Sequence, residues 1–289
     1  MKIRKAVIPA AGWGTRFLPA TKSQPKEMLP LVDRPIIQYV IEEAVASGIE
    51  QIIIVTALGK HSMKNHFERS FKLEHVLRQK RKRKLLREVQ RISELASICY
   101  IRQKEQLGLG HAVSITHDLV GDEPFAVFLP DDIIEADVPA MKQMLQVYDR
   151  YGCSVVAVES VPDKDITAYG VISPQQVEER VYQILGLVEK PKHKEAPSNL
   201  GIVGRYILTP EIFNLLKRTP PDKGGEIQLT NGLQLLLEQQ KIYAYQFEGI
   251  RYDTGTPLGL LKASVELALH SPQLGSAFKK YLRKLNLPD

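Results

Sequence analysis

Short runs that are apolar on both faces alternate along this chain with longer runs whose apolar positions recur at helical spacing. Ala6-Val7-Ile8 predicts a first strand, and Pro35 to Ser47 a helix closed by Gly48. Gln51 to Ala57 predicts a second strand, because Ile52-Ile53-Ile54-Val55 leaves no polar face. A strand of that kind belongs in a sheet covered on both sides. A long helical pattern then runs to about Ser97, with apolar residues at Leu73, Val76, Leu77, Leu86, Val89, Ile92 and Ala96. A strand at Ile98 to Ile101, a helix from about Leu109 or Gly110 and the fully apolar strand Phe125 to Leu129 follow. This βαβα order predicts a three-layer α/β fold with a mostly parallel central sheet.

The second half is more mixed. Cys153 to Val158 reads as a strand, and Tyr169 to Ile172 and Ile184 to Val188 as shorter strands around a Pro-Gln turn. Ile202 to Leu208 is a strand, and Thr209-Pro210-Glu211 opens a helix. A helix at Ile227 to Gln239, a strand at Ile242 to Phe247 and helices at Pro257 to His270 and about Ser271 to Leu285 complete the pattern. No repeat, low-complexity linker or composition break divides the 289 residues. One α/β domain with a small sub-sheet inserted after about residue 160 is the simplest organisation.

Composition narrows the class. Hydrophobic residues at 44% and charged residues at 25% exclude disorder as the main state. No apolar run approaches the ~20 residues of a membrane helix. Cys99 and Cys153 stand far apart, too few for a disulfide scaffold or a structural zinc site, and read as reduced thiols in a cytoplasmic protein. Met1 to Ile8 faintly imitates a signal peptide, but Pro9, Gly12 and Gly14 interrupt the apolar stretch too early. A net charge of +6 suits anionic partners. Part of it is the block Lys80-Arg81-Lys82-Arg83-Lys84, expected on the solvated face of the long helix. A nucleic-acid stripe is the sharper alternative, but it lacks interleaved aromatic residues. There is no HExxH helix and no GxSxG elbow, so no covalent nucleophile is evident.

The candidate chemistry begins directly after the first strand, at Ala10-Ala11-Gly12-Trp13-Gly14-Thr15-Arg16. Small residues let the backbone approach a ligand, and exposed N–H groups make an anion-binding concavity. Phe17 stands where a dinucleotide fingerprint needs its third glycine, and Thr21 precedes Lys22-Ser23 where a Walker A loop needs glycine. Taken alone, the loop is as readily a tight turn as a phosphate site. It runs on through Thr21-Lys22 to Pro25-Lys26-Glu27-Met28-Leu29-Pro30. This whole stretch resembles the signature of the sugar-nucleotide pyrophosphorylases, a nucleotidyltransferase family. More narrowly it is similar to the bacterial UTP–glucose-1-phosphate uridylyltransferases, whereas thymidylyltransferases usually carry a Ser-Lys-Gln form of the site. Beside that resemblance, Arg16 and Lys26 are two cations fit to neutralise a triphosphate and a departing pyrophosphate.

The resemblance extends along nearly the whole chain. It implies a Rossmann-like nucleotidyltransferase fold, with a nucleotide half at about 1–135, a sugar half at about 136–270 and a C-terminal helix at about 271–285. The backbone of Ala10, Ala11, Gly12 and Gly14 would lie against the nucleotide. Gln103 and the backbone of Gly108 would recognise uracil, and a glutamine amide has the donor and acceptor that a pyrimidine edge requires. His111 heads the following helix, where capping and packing account for it. Asp131-Asp132 follows an apolar strand, at the strand end where open α/β sheets bind ligands. By resemblance Asp131 and Asp253, the latter within Arg251-Tyr252-Asp253-Thr254-Gly255-Thr256, bind Mg²⁺, and Asp132 is a supporting or exposed neighbour in the substrate set. Without Asp131, that Asp-Thr-Gly run would read as a turn. Val188-Glu189-Lys190-Pro191 matches the sugar segment, with Glu189 on sugar hydroxyls and Lys190 on the sugar phosphate. Gly170 would offer a backbone contact to the sugar, and Gly201 stands where this family commonly has alanine, leaving more room there. Gly224-Gly225-Glu226-Ile227 reads as a structural loop entering a helix.

The resemblance thus implies uridylyl transfer from UTP to glucose-1-phosphate, Mg²⁺-dependent, in the cytoplasm, by a homodimer or homotetramer with no nucleic-acid or membrane partner. Arg16, Lys26, Asp131, Lys190 and Asp253 would carry catalysis. The alternatives are a thymidylyltransferase or another sugar-1-phosphate nucleotidyltransferase, or a non-catalytic relative that binds sugar nucleotide and regulates a partner.

Overall fold

Ala6, Ile8, Ile52 and Ile54 pack into one hydrophobic cluster while Val7, Ile53 and Val55 pack into another. That alternation is the two-residue period of a strand read on a sheet with a core on each side. The computed structural model describes residues 2–285.

In chain order β1 (Lys5–Pro9) leads through single 3₁₀ turns to β2 (Pro30–Leu31), β3 (Arg34–Pro35), α1 (Ile36–Ala46) and β4 (Gln51–Thr56). Helices α2 (His61–Phe67), α3 (Phe71–Gln79) and α4 (Arg83–Ser93) precede β5 (Ser97–Arg102). Then come α5 (Gly108–Ser114), α6 (His117–Val120), β6 (Phe125–Phe128), β7 (Asp132–Glu135), α7 (Ala140–Tyr151) and β8 (Val155–Ser160). The hairpin β9 (Gly170–Glu178) and β10 (Val181–Glu189) is followed by β11 (Leu200–Leu208), α8 (Glu211–Arg218) and α9 (Leu229–Leu237). Last are β12 (Tyr243–Gln246), β13 (Ile250–Asp253), α10 (Pro257–His270) and α11 (Gly275–Leu282).

Nine strands form one sheet in the order β5-β4-β1-β6-β11-β8-β12-β10-β9. The first four are parallel, as the βαβα pattern requires. The sheet becomes mixed where β11 enters antiparallel between β6 and β8. Residues of α1 and α7 (Ile37, Val40, Ile41, Met141, Met144) cover one face, and residues of α8 and α9 (Phe213, Leu216, Leu233, Leu236) cover the other.

Four expectations change. The pattern to Ser97 breaks into three helices, and Lys80 to Lys84 spans the turn between α3 and α4, where Arg81 adopts φ 52. The cations are solvated as expected, but at a turn and the first residues of α4, which buries no residue. The Pro-Gln pair lies inside β9, with Pro174 opposite Ile184, and the chain reverses at Glu179-Arg180, where Arg180 takes φ 63. That hairpin joins the main sheet, and the small additional sheets are instead two two-stranded pairs, β7 with β13 and β2 with β3. The last helix begins at Gly275 rather than Ser271.

Candidate active site

The C-terminal ends of β1 and β6 open into a cleft of about 570 Å³. Gly12, Gly14, Arg16, Lys26, Gln103, Gly108 and Asp131 all line it. At Gly14 the backbone needs glycine: φ is +66, and a Cβ would stand 3.2 Å from the Lys26 Cβ. Thr21 Oγ1 donates to the Gly14 carbonyl at 2.8 Å and closes the loop. Ala11 lines the cleft, but Ala10 does not. Ala10 is buried behind it, its N–H donating to Val55 O at 2.8 Å and its carbonyl accepting from Lys60 Nζ at 2.7 Å.

Lys60 also pairs with Glu27 at 2.9 Å, and only 1% of Glu27 is exposed. Burial drives both groups toward neutrality, raising the Glu27 carboxyl and lowering the Lys60 ammonium against their mutual attraction. This pair clamps the end of β1 to the turn that carries Lys26. Lys26 Nζ lies 2.7 Å from Asp131 Oδ2. Burial works against both charges, yet their attraction prevails: Lys26 is raised and Asp131 lowered. Arg16 lines the same cleft with its side chain exposed and has no ion-pair partner among the described residues.

Asp131 is held from below. Leu129 N–H donates to Gly204 O at 2.7 Å, and buried Arg205 donates to the Asp132 carbonyl at 2.8 Å while paired with Glu43. From the other side, Thr254 donates its N–H and Oγ1 to the Asp131 carbonyl at 2.7 and 2.8 Å. Pairing of β7 with β13 sets Asp253 opposite Asp132. A single point, where a Cβ on Gly255 would sit, lies 2.9 Å from both Asp131 Oδ2 and Asp253 Oδ1. The two carboxylate oxygens are therefore within twice that distance of each other. Among the described residues no group of three metal-binding side chains occurs. Two converging carboxylates are the complement Mg²⁺ uses when phosphate and water supply its other ligands.

Asp132 does not join the substrate set. It is buried outside the cleft lining, with Oδ2 accepting from Gly204 N–H at 2.8 Å and Oδ1 from Arg251. Arg251 also donates to Glu159 and, at 2.7 Å, to Tyr169 Oη. The Tyr169 carbonyl accepts the Lys190 N–H at 3.0 Å. Arg251 thus ties the Asp131-Asp132 turn to the expected sugar segment, which lies outside the cleft lining.

In that segment Glu189 faces Gly170 across the β9–β10 ladder. A Cβ on Gly170 would stand 3.2 Å from Glu189 Oε2 and 3.0 Å from Thr230 Oγ1, so glycine there leaves space beside the carboxylate. Lys190 takes φ 45, uncommon for a residue with a side chain, and its Nζ lies 3.3 Å from Glu189 Oε1. The extra room expected at Gly201 is absent. Gly201 is buried in β11, and a Cβ there would stand 2.6 Å from Val161 Cγ2 and 3.2 Å from the Tyr169 Cβ. Those two side chains fill the volume that alanine would take.

Gln103 is 4% exposed, and its Nε2 lies 2.9 Å from His111 Nδ1 and 3.3 Å from Gly108 O. Gly108 (φ +89) packs on the loop before α9, where a Cβ would stand 2.8 Å from the Glu226 Cβ. Glu226 itself lines the cleft, so a segment read as structural also contributes a wall. Glu226, Glu27, Lys60 and Arg251 receive no site role from the sequence alone; Glu27, Arg251 and Glu226 lie inside the motif stretches named above, whereas nothing in the sequence marks Lys60.

A nucleotidyl transferase family model matches residues 5–269. A UTP–glucose-1-phosphate uridylyltransferase of Staphylococcus epidermidis is 51% identical over 286 residues, 99% of each chain. One from Bacillus subtilis is 52% identical over 281 residues, 97% of this chain and 95% of that one. The UTP-bound UDP-glucose pyrophosphorylase of Acinetobacter baumannii superimposes with a TM-score of 0.92 at 43% identity, over 99% of this chain and 100% of that chain. A UDP-glucose pyrophosphorylase complexed with UDP-glucose superimposes with a TM-score of 0.86 at 44% identity, over 93% and 100%.

Proposed function

The chain belongs to the nucleotidyl transferase family, and from that premise we infer that it transfers the uridylyl group of UTP to glucose-1-phosphate, giving UDP-glucose and pyrophosphate. It is an enzyme of the same activity as the Staphylococcus and Bacillus relatives that match it end to end. The observation that carries the residue-level reading is one cleft in which the glycine-rich loop, two cations and Asp131 meet.

An oxygen of the sugar phosphate attacks the α-phosphorus of UTP in line. The bond from that phosphorus to the bridging oxygen breaks, and pyrophosphate departs with the electron pair. A phosphate dianion is already a competent nucleophile at neutral pH, so the reaction asks for positioning and charge neutralisation rather than a general base. Arg16 and Lys26 hold the triphosphate and the leaving pyrophosphate. Lys190 aligns the attacking phosphate, and Glu189 and the Gly170 backbone hold the sugar. The backbones of Ala11, Gly12 and Gly14 line the nucleotide's path, and Gln103 and Gly108 read the base.

Asp131 and Asp253 fit Mg²⁺ by their convergence at Gly255. When bound, the ion neutralises phosphate charge that would otherwise oppose the attack. We read the chain as one domain whose halves, about 1–135 and 136–270, supply the nucleotide and sugar sides. No described helix is long and apolar enough to cross a membrane, and the free thiols of Cys99 and Cys153 suit a cytoplasmic setting. The exposed Leu258, Leu261 and Tyr281 of α10 and α11 are the candidate contact of a homodimer or homotetramer.

Incubation with UTP, glucose-1-phosphate and Mg²⁺ tests the reaction, with the products identified by mass. Stoichiometric UDP-glucose and pyrophosphate are expected. A panel of nucleoside triphosphates against sugar-1-phosphates that gave a faster pair would replace these substrates.

A further inference from the structure

We propose that His111 sets the base specificity of this site, by locking the Gln103 amide with its oxygen toward the cleft so that uracil is taken over cytosine. The inference rests on the reading of Gln103 as the residue that faces the base.

The orientation of an amide is ordinarily an assignment, because its oxygen and nitrogen look alike. Here the neighbours decide it. One end of the Gln103 amide lies 3.3 Å from the Gly108 carbonyl oxygen. A carbonyl oxygen only accepts, so the end that faces it is the NH₂. The same nitrogen lies 2.9 Å from His111 Nδ1. Nδ1 therefore accepts the second amide hydrogen, and the neutral ring carries its proton on Nε2.

Both amide hydrogens are then engaged by the protein. Oε1 has no partner among the described residues and is not sealed from solvent. What Gln103 offers a ligand in the cleft is an acceptor. Uracil carries a hydrogen on N3, whereas cytosine has a lone pair there, which meets an acceptor with repulsion. The discrimination is only as firm as the lock that keeps the amide from turning over.

The local fold builds that lock. Gly108 and His111 are three residues apart on α5, so they share one face of the helix. Gly108 is seated against the Glu226 Cβ and the Ile227 backbone, and Gly110 N–H donates to Ile227 O at 2.8 Å. On the other side, Gln103 N–H donates to Thr56 O at 2.8 Å at the end of β4. Both partners of the amide contact are therefore pinned by backbone. His111 acts through Gln103 and is a positioning residue.

The test is the ratio of kcat/KM for UTP to that for CTP, with saturating glucose-1-phosphate, in the wild type, His111→Phe, His111→Asn and Gln103→Leu. His111→Phe keeps the ring volume and removes the acceptor, leaving only the longer bond to Gly108. The ratio should fall roughly ten- to a hundredfold, the scale of one unmade buried polar contact. The loss should lie in the KM for UTP, with the KM for glucose-1-phosphate unchanged. His111→Asn returns an acceptor oxygen close to the position of Nδ1 and should restore most of the ratio, which a purely structural role for the ring would not. A wild-type ratio in His111→Phe, or a ratio in His111→Asn as low as in His111→Phe, overturns the inference. Gln103→Leu separates the two levels. If it lowers the ratio and His111→Phe does not, the inference about His111 fails alone. If it leaves the ratio unchanged, the reading of Gln103 fails and takes His111 with it.

Discussion

At the end of the site proposed to take the nucleotide, Lys26 and Asp131 pair at 2.7 Å with side chains only 22% and 32% exposed. At the end proposed to take the sugar, Lys190 and Glu189 approach to 3.3 Å, and the Lys190 side chain is 54% exposed. Each end keeps a cation proposed to act in the reaction beside a carboxylate proposed to act with it, but the surroundings differ. Around Lys26 and Asp131 stand three buried or half-buried ion pairs: Glu27 with Lys60, Glu43 with Arg205, and Asp132 with Arg251. Around Lys190 there is a strained backbone position and one hydrogen bond to Tyr169. The proposed nucleotide end is held in place by these ion pairs, whereas the proposed sugar-phosphate grip has fewer fixed contacts and a larger ordering cost to meet. Loss of a preorganised charge removes stabilisation of the reacting phosphates and falls on kcat, and loss of a mobile one falls on KM.

Asp131→Asn tests the rigid end most severely. It removes a proposed metal ligand and also the partner of Lys26, so turnover should fall on the order of a thousandfold at any Mg²⁺ concentration. Activity near wild type at ordinary Mg²⁺ would show that Asp131 holds no metal. Lys26→Ala should follow with a loss of roughly a hundredfold in kcat, the scale of one electrostatic stabiliser. If that loss were confined to the KM for UTP, Lys26 would be a binding residue and the contrast between the ends would weaken.

Lys190→Ala probes the looser end. Its ammonium is exposed and screened, so the expected effect is roughly a tenfold rise in the KM for glucose-1-phosphate with a smaller change in kcat. Steady-state kinetics with each substrate varied in turn gives the split. A hundredfold fall in kcat would mean that the sugar end is as preorganised in the complex as the nucleotide end is here.

The same contrast governs what was legible in the sequence. Local signals marked the proposed nucleotide side: the apolar strands around Val7, Ile53 and Val127, and the glycine loop with Arg16 and Lys26 beyond it, lie in continuous stretches, and the loop and both cations line one cleft. What holds that side rigid was not legible. Glu43 reads as a surface position of α1 until Arg205, distant in the chain, is brought beneath it. The β7–β13 pairing joins two four-residue strands with no periodicity of their own, and with the Thr254 bonds to the Asp131 carbonyl it brings Asp253 to Asp131. Arg81 and Arg180 take positive φ without being glycine, so a broken helix and a moved hairpin turn left no mark in the residue types. Asp132, expected as a supporting or exposed neighbour of Asp131, is buried instead, because consecutive residues entering a strand point to opposite sides.

Gly201 gives the smallest expected effect and the finest cut through the comparison. An alanine would place its Cβ 2.6 Å from Val161 Cγ2 and 3.2 Å from the Tyr169 Cβ. The backbone cannot retreat, because Gly201 is paired with Glu159 on one side and Val171 on the other. Val161 or Tyr169 must give way, and such overpacking costs about 1–3 kcal/mol. Tyr169 is the residue through which Arg251 reaches Lys190, so the strain passes to the loose end and spares the ion pairs of the rigid one. Gly201→Ala should therefore lower Tm by a few degrees, raise the KM for glucose-1-phosphate by at most about twofold and leave the KM for UTP unchanged. Val161→Ala in the same chain should recover the Tm by returning the missing volume. A KM for glucose-1-phosphate that fell instead would mean that the alanine methyl touches the sugar, and Gly201 would then be a spacer in the pocket rather than a seat for Val161.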